Sequence, residues 1–211
     1  MELMDRISTA LQAGKARDVK ALVQQAIDEG VTASVILNEG LVDGMNVIGA
    51  KFKNNEIYVP DVLIAARAMK AGTELLKPLL KADGVQASGK AVIGTVSGDL
   101  HDIGKNLVAM MMEGKGMEII DLGCDVPAER FVQAAIDTGA QIIACSALLT
   151  TTMGEMKNVV EMAKEKGIRD KITIMVGGAP VNESYCRQIG ADIYAPDAAS
   201  AAEAAIAAVK A

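Results

Sequence analysis

The chain has 211 residues, 51% of them hydrophobic and 23% charged, which suits one large domain or two small ones and does not suit a disordered chain. Twenty-seven acidic residues against 21 basic ones leave a formal charge of −6, which argues against the basic face of a nucleic-acid binder. No uninterrupted apolar run reaches the roughly 18 residues of a membrane span, and residues 1–10 lack the basic start and apolar stretch of a secretory leader. Cys124, Cys145 and Cys186 are odd in number and widely spaced, so a disulfide scaffold is not expected and a reducing cytoplasm is.

Residues 1 to about 80 read as helical. Val19, Leu22, Val23, Ala26 and Ile27 recur at helical spacing until Gly30 stops the run. Thr32 is placed to cap a second helix bearing Val35, Ile36, Leu41, Val42, Met45 and Ile48. After the polar turn Lys53-Asn54-Asn55-Glu56, Pro60 suits the first turn of another helix with Val62, Leu63, Ala66, Met69 and Leu76, which Pro78 is expected to interrupt. Such helices with short connections make a four-helix-type bundle. The small, polar stretch 82–89 reads as a linker and divides the chain into domains 1–87 and 88–211.

From Lys90 onward strand and helix alternate. Apolar runs at Ala91–Val96, Met117–Leu122, Gln141–Cys145, Ile172–Val176 and Asp192–Tyr194 are each followed by a helical pattern, near Ile103–Glu113, Pro127–Thr138, Met153–Lys166, Val181–Ile189 and Ala198–Lys210. Five βα units predict an α/β domain, Rossmann-like or flavodoxin-like, with a parallel sheet covered on both faces. Ligands in such sheets sit beyond the carboxyl ends of the strands.

The first strand leads into Ser97-Gly98-Asp99-Leu100-His101-Asp102-Ile103-Gly104-Lys105-Asn106. It is not a P-loop, because five residues separate Gly98 from Gly104 and Asn106 stands where Ser or Thr would bind magnesium. The glycine spacing does not make a dinucleotide fingerprint either. Asp99 and His101, two apart in an extended turn, can place a carboxylate on Nδ1–H and leave Nε2 for a metal or a proton. His101 is the single histidine, so any imidazole chemistry runs through it. Taken alone, Asp-x-His leaves open that His101 is a polar loop residue. The third strand ends in Ser146-Ala147-Leu148-Leu149-Thr150-Thr151-Thr152, whose hydroxyls can reach a ligand or Asp99, and the fourth in Gly177-Gly178-Ala179-Pro180, where the missing Cβ atoms permit close approach. These too can be a helix cap and a turn.

Together these segments resemble the Asp-x-His-x-x-Gly, Ser-x-Leu and Gly-Gly signature of cobalamin-binding domains, carried by Asp99, His101 and Gly104, by Ser146 and Leu148, and by Gly177 and Gly178. The helical half resembles the cap region of cobalamin-dependent methionine synthase around Phe52 and Tyr58-Val59-Pro60, and the whole chain is similar to the corrinoid proteins of methylamine, methanol and methoxyarene methyltransferase systems. The resemblance implies a cobalamin or related corrinoid held base-off and His-on, with His101 as the lower cobalt ligand, Asp99 hydrogen-bonded to His101, and Thr152 to Asp99. It further implies that Gly98, Leu100 and Asp102 flank the corrin and that Gly104 leaves room for the nucleotide tail. The tail would run beside Ser146, Thr150, Gly177 and Gly178 toward Ala198, with Phe52 and Val59 shielding the upper face. The implied partners are a substrate:corrinoid methyltransferase, a second methyltransferase acting on tetrahydrofolate or a thiol coenzyme, and a corrinoid reductive activase. The protein would be a methyl carrier with no catalysis of its own.

The chemistry is coherent without the resemblance. Four corrin nitrogens leave cobalt two axial sites, one for an imidazole and one for a methyl group, and an Asp–His pair can take up a proton when the imidazole leaves. A mutase subunit would not need the helical half, a sensor would want a DNA-binding or signalling module, and a plain flavodoxin-like module leaves Asp99 and His101 without a purpose. The twelve methionines, Met110-Met111-Met112 among them, read as core filling, Cys145 as a buried thiol and Cys124 as the one cysteine able to react.

Overall fold

A computed structural model describes residues 2–83 and 87–210. They form two compact units, Met1–Ala87 with the turn Gly114–Gly116, and Ser88–Glu113 with Met117–Ala211. Part of the stretch read as a linker, residues 84–86, lies outside the described residues.

Among the described residues the first unit is built from four helical rods. Helix α1 (Leu3–Gln12) buries Ile7, Ala10 and Leu11, and α2 (Ala16–Asp28) buries Val19, Val23 and Ala26, the one-sided stripe of an amphipathic helix. The third rod is not the uniform helix its periodicity suggests. A single turn, α3 (Ala33–Val35), runs into a π-helical stretch at Ile36–Val42 and continues as α4 (Asp43–Lys53). Thr32 occupies the N-cap position, but its side chain makes no capping bond. Gly40 and Gly44 let this rod lie close to α1, since a Cβ at Gly40 would stand 3.1 Å from Ile7 Cγ2 and one at Gly44 3.3 Å from the Ser8 Cα.

Helix α5 (Val59–Ala82) starts as expected, with Pro60 in its first turn and Asp61 Oδ2 accepting the Tyr58 N–H at 2.9 Å. It does not stop at Pro78. Proline in a helix interior costs about 3 kcal/mol, but Val62, Ala65, Ala68, Met69 and Leu76 are buried along this rod, and that packing carries the helix past the lost hydrogen bond.

The second unit is a parallel sheet of β1 (Lys90–Thr95), β2 (Glu118–Asp121), β3 (Ile142–Ser146), β4 (Thr173–Gly177) and β5 (Ile193–Tyr194) in the order β2-β1-β3-β4-β5. Helices α6 (Ile103–Gly114), α7 (Ala128–Thr138), α8 (Glu155–Glu165), α9 (Glu183–Ile189) and α10 (Ala198–Lys210) follow the strands in turn. Val92, Ile143, Ile174 and Val176 form one core with Phe131 and Val132 of α7 and Met156, Val159 and Val160 of α8. The alternate residues Ala91, Ile93, Ile142, Ala144 and Met175 are buried as well, so both faces of the central strands are covered. The edge strand β2 is only half-buried, unlike the fully apolar setting its sequence suggests. Gly94 belongs to packing, because a Cβ there would meet the Phe131 ring at 2.8 Å.

Register places the strand ends together. Thr95 of β1 pairs with Ser146 of β3, and Ser146 with Gly177 of β4, on one rung at the carboxyl edge. The chain leaves β1 for one neighbour, β2, and returns to its other, β3. Open sheets of this order bind ligands at that switch point.

Candidate functional site

The loop after β1 turns at Gly98, whose φ of +78° a side chain disfavours, and brings Asp99 under the loop after β3. Asp99 is completely buried, and both carboxylate oxygens are saturated. Oδ1 accepts the His101 N–H at 3.1 Å and His101 Nδ1–H at 2.7 Å. Oδ2 accepts the N–H groups of Leu148 at 2.8 Å and Leu149 at 3.2 Å and the Thr152 hydroxyl at 2.8 Å. Burial alone would raise the Asp99 pKa, but the His101 side chain, the Leu148 and His101 N–H groups and the Thr152 hydroxyl outweigh it and hold the carboxyl well below the usual range. Asp99 is therefore an anion that only accepts.

That settles the imidazole. Facing a carboxylate, Nδ1 must carry the proton, so the neutral ring presents its lone pair at Nε2. The His101 side chain is 51% exposed, and Nε2 is its free end. On the same two loops Leu100 and Ile103 are each 75% exposed, and Leu148 and Leu149 are partly exposed.

Two further side chains hold this loop, and neither stood out in the sequence. The buried Thr95 hydroxyl donates to the His101 carbonyl at 2.9 Å. Asp125, in the left-handed region at φ +54°, accepts the Gly98 N–H on Oδ1 at 2.7 Å and returns its own N–H to the Asp99 carbonyl at 3.0 Å. A hydroxyl within the apolar run Ala91–Val96 was the available signal for Thr95; Asp125 gave none. Beyond the loop, the buried Lys105 ammonium sits 2.6 Å from Asp121 Oδ2 and 2.7 Å from Asn106 Oδ1, and Asn106 donates to Asp102 Oδ2 at 3.1 Å, tying Asp102 to the end of β2.

The other residues singled out in the sequence are distributed as follows. Ser146 and Gly177 share the last rung of the sheet, and Thr150 is exposed on the loop after β3. Gly178 has a structural reason to be glycine: a Cβ would stand 1.8 Å from the Ala147 carbonyl oxygen. A Cβ on Gly104 would meet nothing within 4 Å, so packing does not require that glycine. Ala198 is buried at the start of α10. Phe52, near the end of α4, and Val59, opening α5, are half-buried in the first unit.

Residues 89–206 match the family described as B12 binding domain, and residues 3–77 match a second family of the same description. The chain is 42% identical to a corrinoid protein of Desulfitobacterium hafniense over 97% of its length and 96% of the relative's. The chain belongs to the B12-binding corrinoid proteins. It is also 42% identical to the dimethylamine corrinoid protein of Methanosarcina barkeri, over 95% of this chain and 94% of that one. Among solved structures it resembles a chain of the methanol:cobalamin methyltransferase complex MtaBC from Methanosarcina barkeri, with TM-score 0.88, 33% identity and coverage of 99% and 80%.

The site's chemistry fits such a cofactor. A corrin would itself supply four nitrogens to its cobalt, so at most one protein ligand would be called for, and the site offers one imidazole with its tautomer set. A wide apolar macrocycle suits the exposed Leu100, Ile103, Leu148 and Leu149. The empty space at Gly104 suits a chain of atoms passing close to backbone.

Proposed function

We propose that this protein binds a cobalamin or related corrinoid base-off, with His101 Nε2 as the lower axial ligand, and carries a methyl group between two methyltransferases. Likeness to the dimethylamine corrinoid protein along nearly the whole of both chains carries this reading, because the relative shares the helical half as well as the sheet. Bound cobalt supplies the position on which the methyl group is held between transfers. The chain's own residues do the rest. Asp99 keeps a proton on His101 Nδ1, and Thr152 with the Leu148 and Leu149 N–H groups keeps Asp99 charged. Gly98, Leu100, Asp102 and Leu148 bound the corrin on the His101 side and exclude water from it. Gly104 leaves room for the nucleotide tail, which runs by Ser146, Thr150, Gly177 and Gly178 toward Ala198.

In this reading residues 1–87 are a cap whose Phe52 and Val59 shelter the methyl-bearing face, and residues 88–211 carry the cofactor. A substrate:corrinoid methyltransferase loads the methyl group and a second methyltransferase, working on tetrahydrofolate or a thiol coenzyme, removes it. A reductive activase restores the cobalt when it is oxidised. The setting is the cytoplasm; no helix among the described residues is long and apolar enough to cross a membrane. The test is the electron paramagnetic resonance spectrum of the Co(II) form. Wild type shows splitting from one axial nitrogen and His101→Ala loses it. An unchanged spectrum in the variant removes His101 from the metal.

A further inference from the structure

Strand β1 runs through Ala91, Val92, Ile93 and Gly94 and then ends on a hydroxyl, Thr95, that is completely buried. A valine would fill the same space in a sheet without placing a polar atom there. The Thr95 backbone is already engaged on both sides: its N–H donates to the Gly123 carbonyl at 2.9 Å, and its carbonyl accepts the Val126 N–H at 3.0 Å. What remains for the hydroxyl is the His101 carbonyl, six residues on and 2.9 Å away. We propose that Thr95 is a positioning residue for His101: its buried hydroxyl holds the ligand's carbonyl against the rigid end of the central strand and so sets where the imidazole stands.

Three bonds then define His101. Its N–H and Nδ1–H both go to Asp99 Oδ1, and its carbonyl takes the Thr95 hydroxyl. The first two orient the ring relative to Asp99. They do not fix the peptide that follows, and the helix α6 begins only two residues later, at Ile103. The side chains of Leu100 and Ile103, on either side of His101 and Asp102, are largely exposed and add little packing to the turn. Without Thr95 the His101 carbonyl loses its bond to the strand, and between Asp99 and the Asp102–Asn106 contact the turn is held less rigidly at the residue that takes the metal. Preorganisation of this kind strengthens binding without adding a contact to the bound group.

The inference rests on the reading of His101 as the axial ligand, and the test separates the two. Wild type, Thr95→Val, Thr95→Ala, Thr95→Ser and His101→Ala are reconstituted with hydroxocobalamin. The Co(II) spectrum and the Co(II)/Co(I) midpoint potential are then recorded for each. Co(I) sheds its axial ligands, so a weaker imidazole makes reduction easier. One lost neutral hydrogen bond weakens ligation about five-fold, which is ~40 mV at ~59 mV per decade for one electron. Thr95→Val and Thr95→Ala should both move the potential upward by that amount while Thr95→Ser, which keeps the hydroxyl, stays at the wild-type value. If Thr95→Val does not fold, the contrast between Ala and Ser carries the test. An unchanged potential in Val and Ala, or an equal shift in Ser, makes Thr95 a packing residue and overturns the proposal. A His101→Ala protein that keeps the wild-type nitrogen splitting and potential overturns the ligand reading itself, and the proposal with it.

Discussion

Asp99 and His101 meet twice on a single oxygen: Asp99 Oδ1 takes both the backbone N–H and the Nδ1–H of His101, at 3.1 and 2.7 Å. The other oxygen is occupied by donors from a loop some fifty positions further on, so the pair is locked into the sheet before any cofactor arrives.

Asp99→Asn tests that lock. An amide can accept on one end only, so its NH2 group must face either His101 or the Leu148, Leu149 and Thr152 donors. At least one donor then loses its partner even if the His101 ring changes tautomer, and the apoprotein should lose about 2 kcal/mol in urea unfolding, against about 1 kcal/mol for Thr152→Val. The gap between wild type and Asp99→Asn also has a pH signature. The carboxyl is lowered from its ordinary 3.8 in the folded state, so its contribution is complete above 3.8 and is lost as pH falls through the lowered native value. The gap should be constant from pH 7 to pH 5 and shrink in more acid solution. A gap that does not change with pH would mean that Asp99 is not charged in the fold.

Two glycines should separate folding from cofactor binding. At Gly178 the φ of +130° and the Ala147 carbonyl forbid a side chain, so Gly178→Ala should destabilise the apoprotein by more than about 3 kcal/mol or prevent folding. Gly104 lies in the first turn of α6 with open space around it, and alanine there should leave thermal stability unchanged or raise it by up to about 1 kcal/mol. The same variant should bind hydroxocobalamin about ten-fold more weakly, because its methyl group stands in the path assigned to the nucleotide tail. Undiminished affinity would place the tail elsewhere.

The thiols should differ. Burial pushes the Cys145 thiol up to about 12 and raises that of Cys186, while Cys124 is partly exposed. At pH 8 the native protein should react rapidly with one equivalent of a disulfide reagent, at Cys124, and with three in urea. Peptide mapping of the labelled protein checks the position.

Phe52 lies in the last turn of α4, and Val59 opens α5. If the two shelter the upper face, Phe52→Ala should speed photolysis of the methyl–cobalt bond several-fold, because an uncaged radical escapes before it recombines. Equal rates in variant and wild type would take Phe52 out of the cap.

Much of this protein is written locally, and local features were legible. Amphipathic stripes at three- and four-residue spacing marked α2 and α5, and β-rich apolar runs between helices marked a parallel sheet. The turn holding Asp99 and His101 could be read because both side chains lie within three residues of each other. The π-helical stretch at Ile36–Val42 and the passage of α5 through Pro78 could not, since each follows from what the rod packs against rather than from its own residues. The site was decided at longer range. Placing β1 between β2 and β3 brings the loop after β3 onto Asp99 and the loop after β2 onto Gly98. The Leu148, Leu149 and Asp125 N–H groups that grip this loop are backbone donors, which every residue but proline has, so no side-chain pattern announces them. Sequence alone determined that an imidazole and a carboxylate stand two residues apart at a strand end. Tertiary structure alone decided that the carboxylate is buried, saturated and ionised, because only the fold sets how many donors surround it and how much water is left.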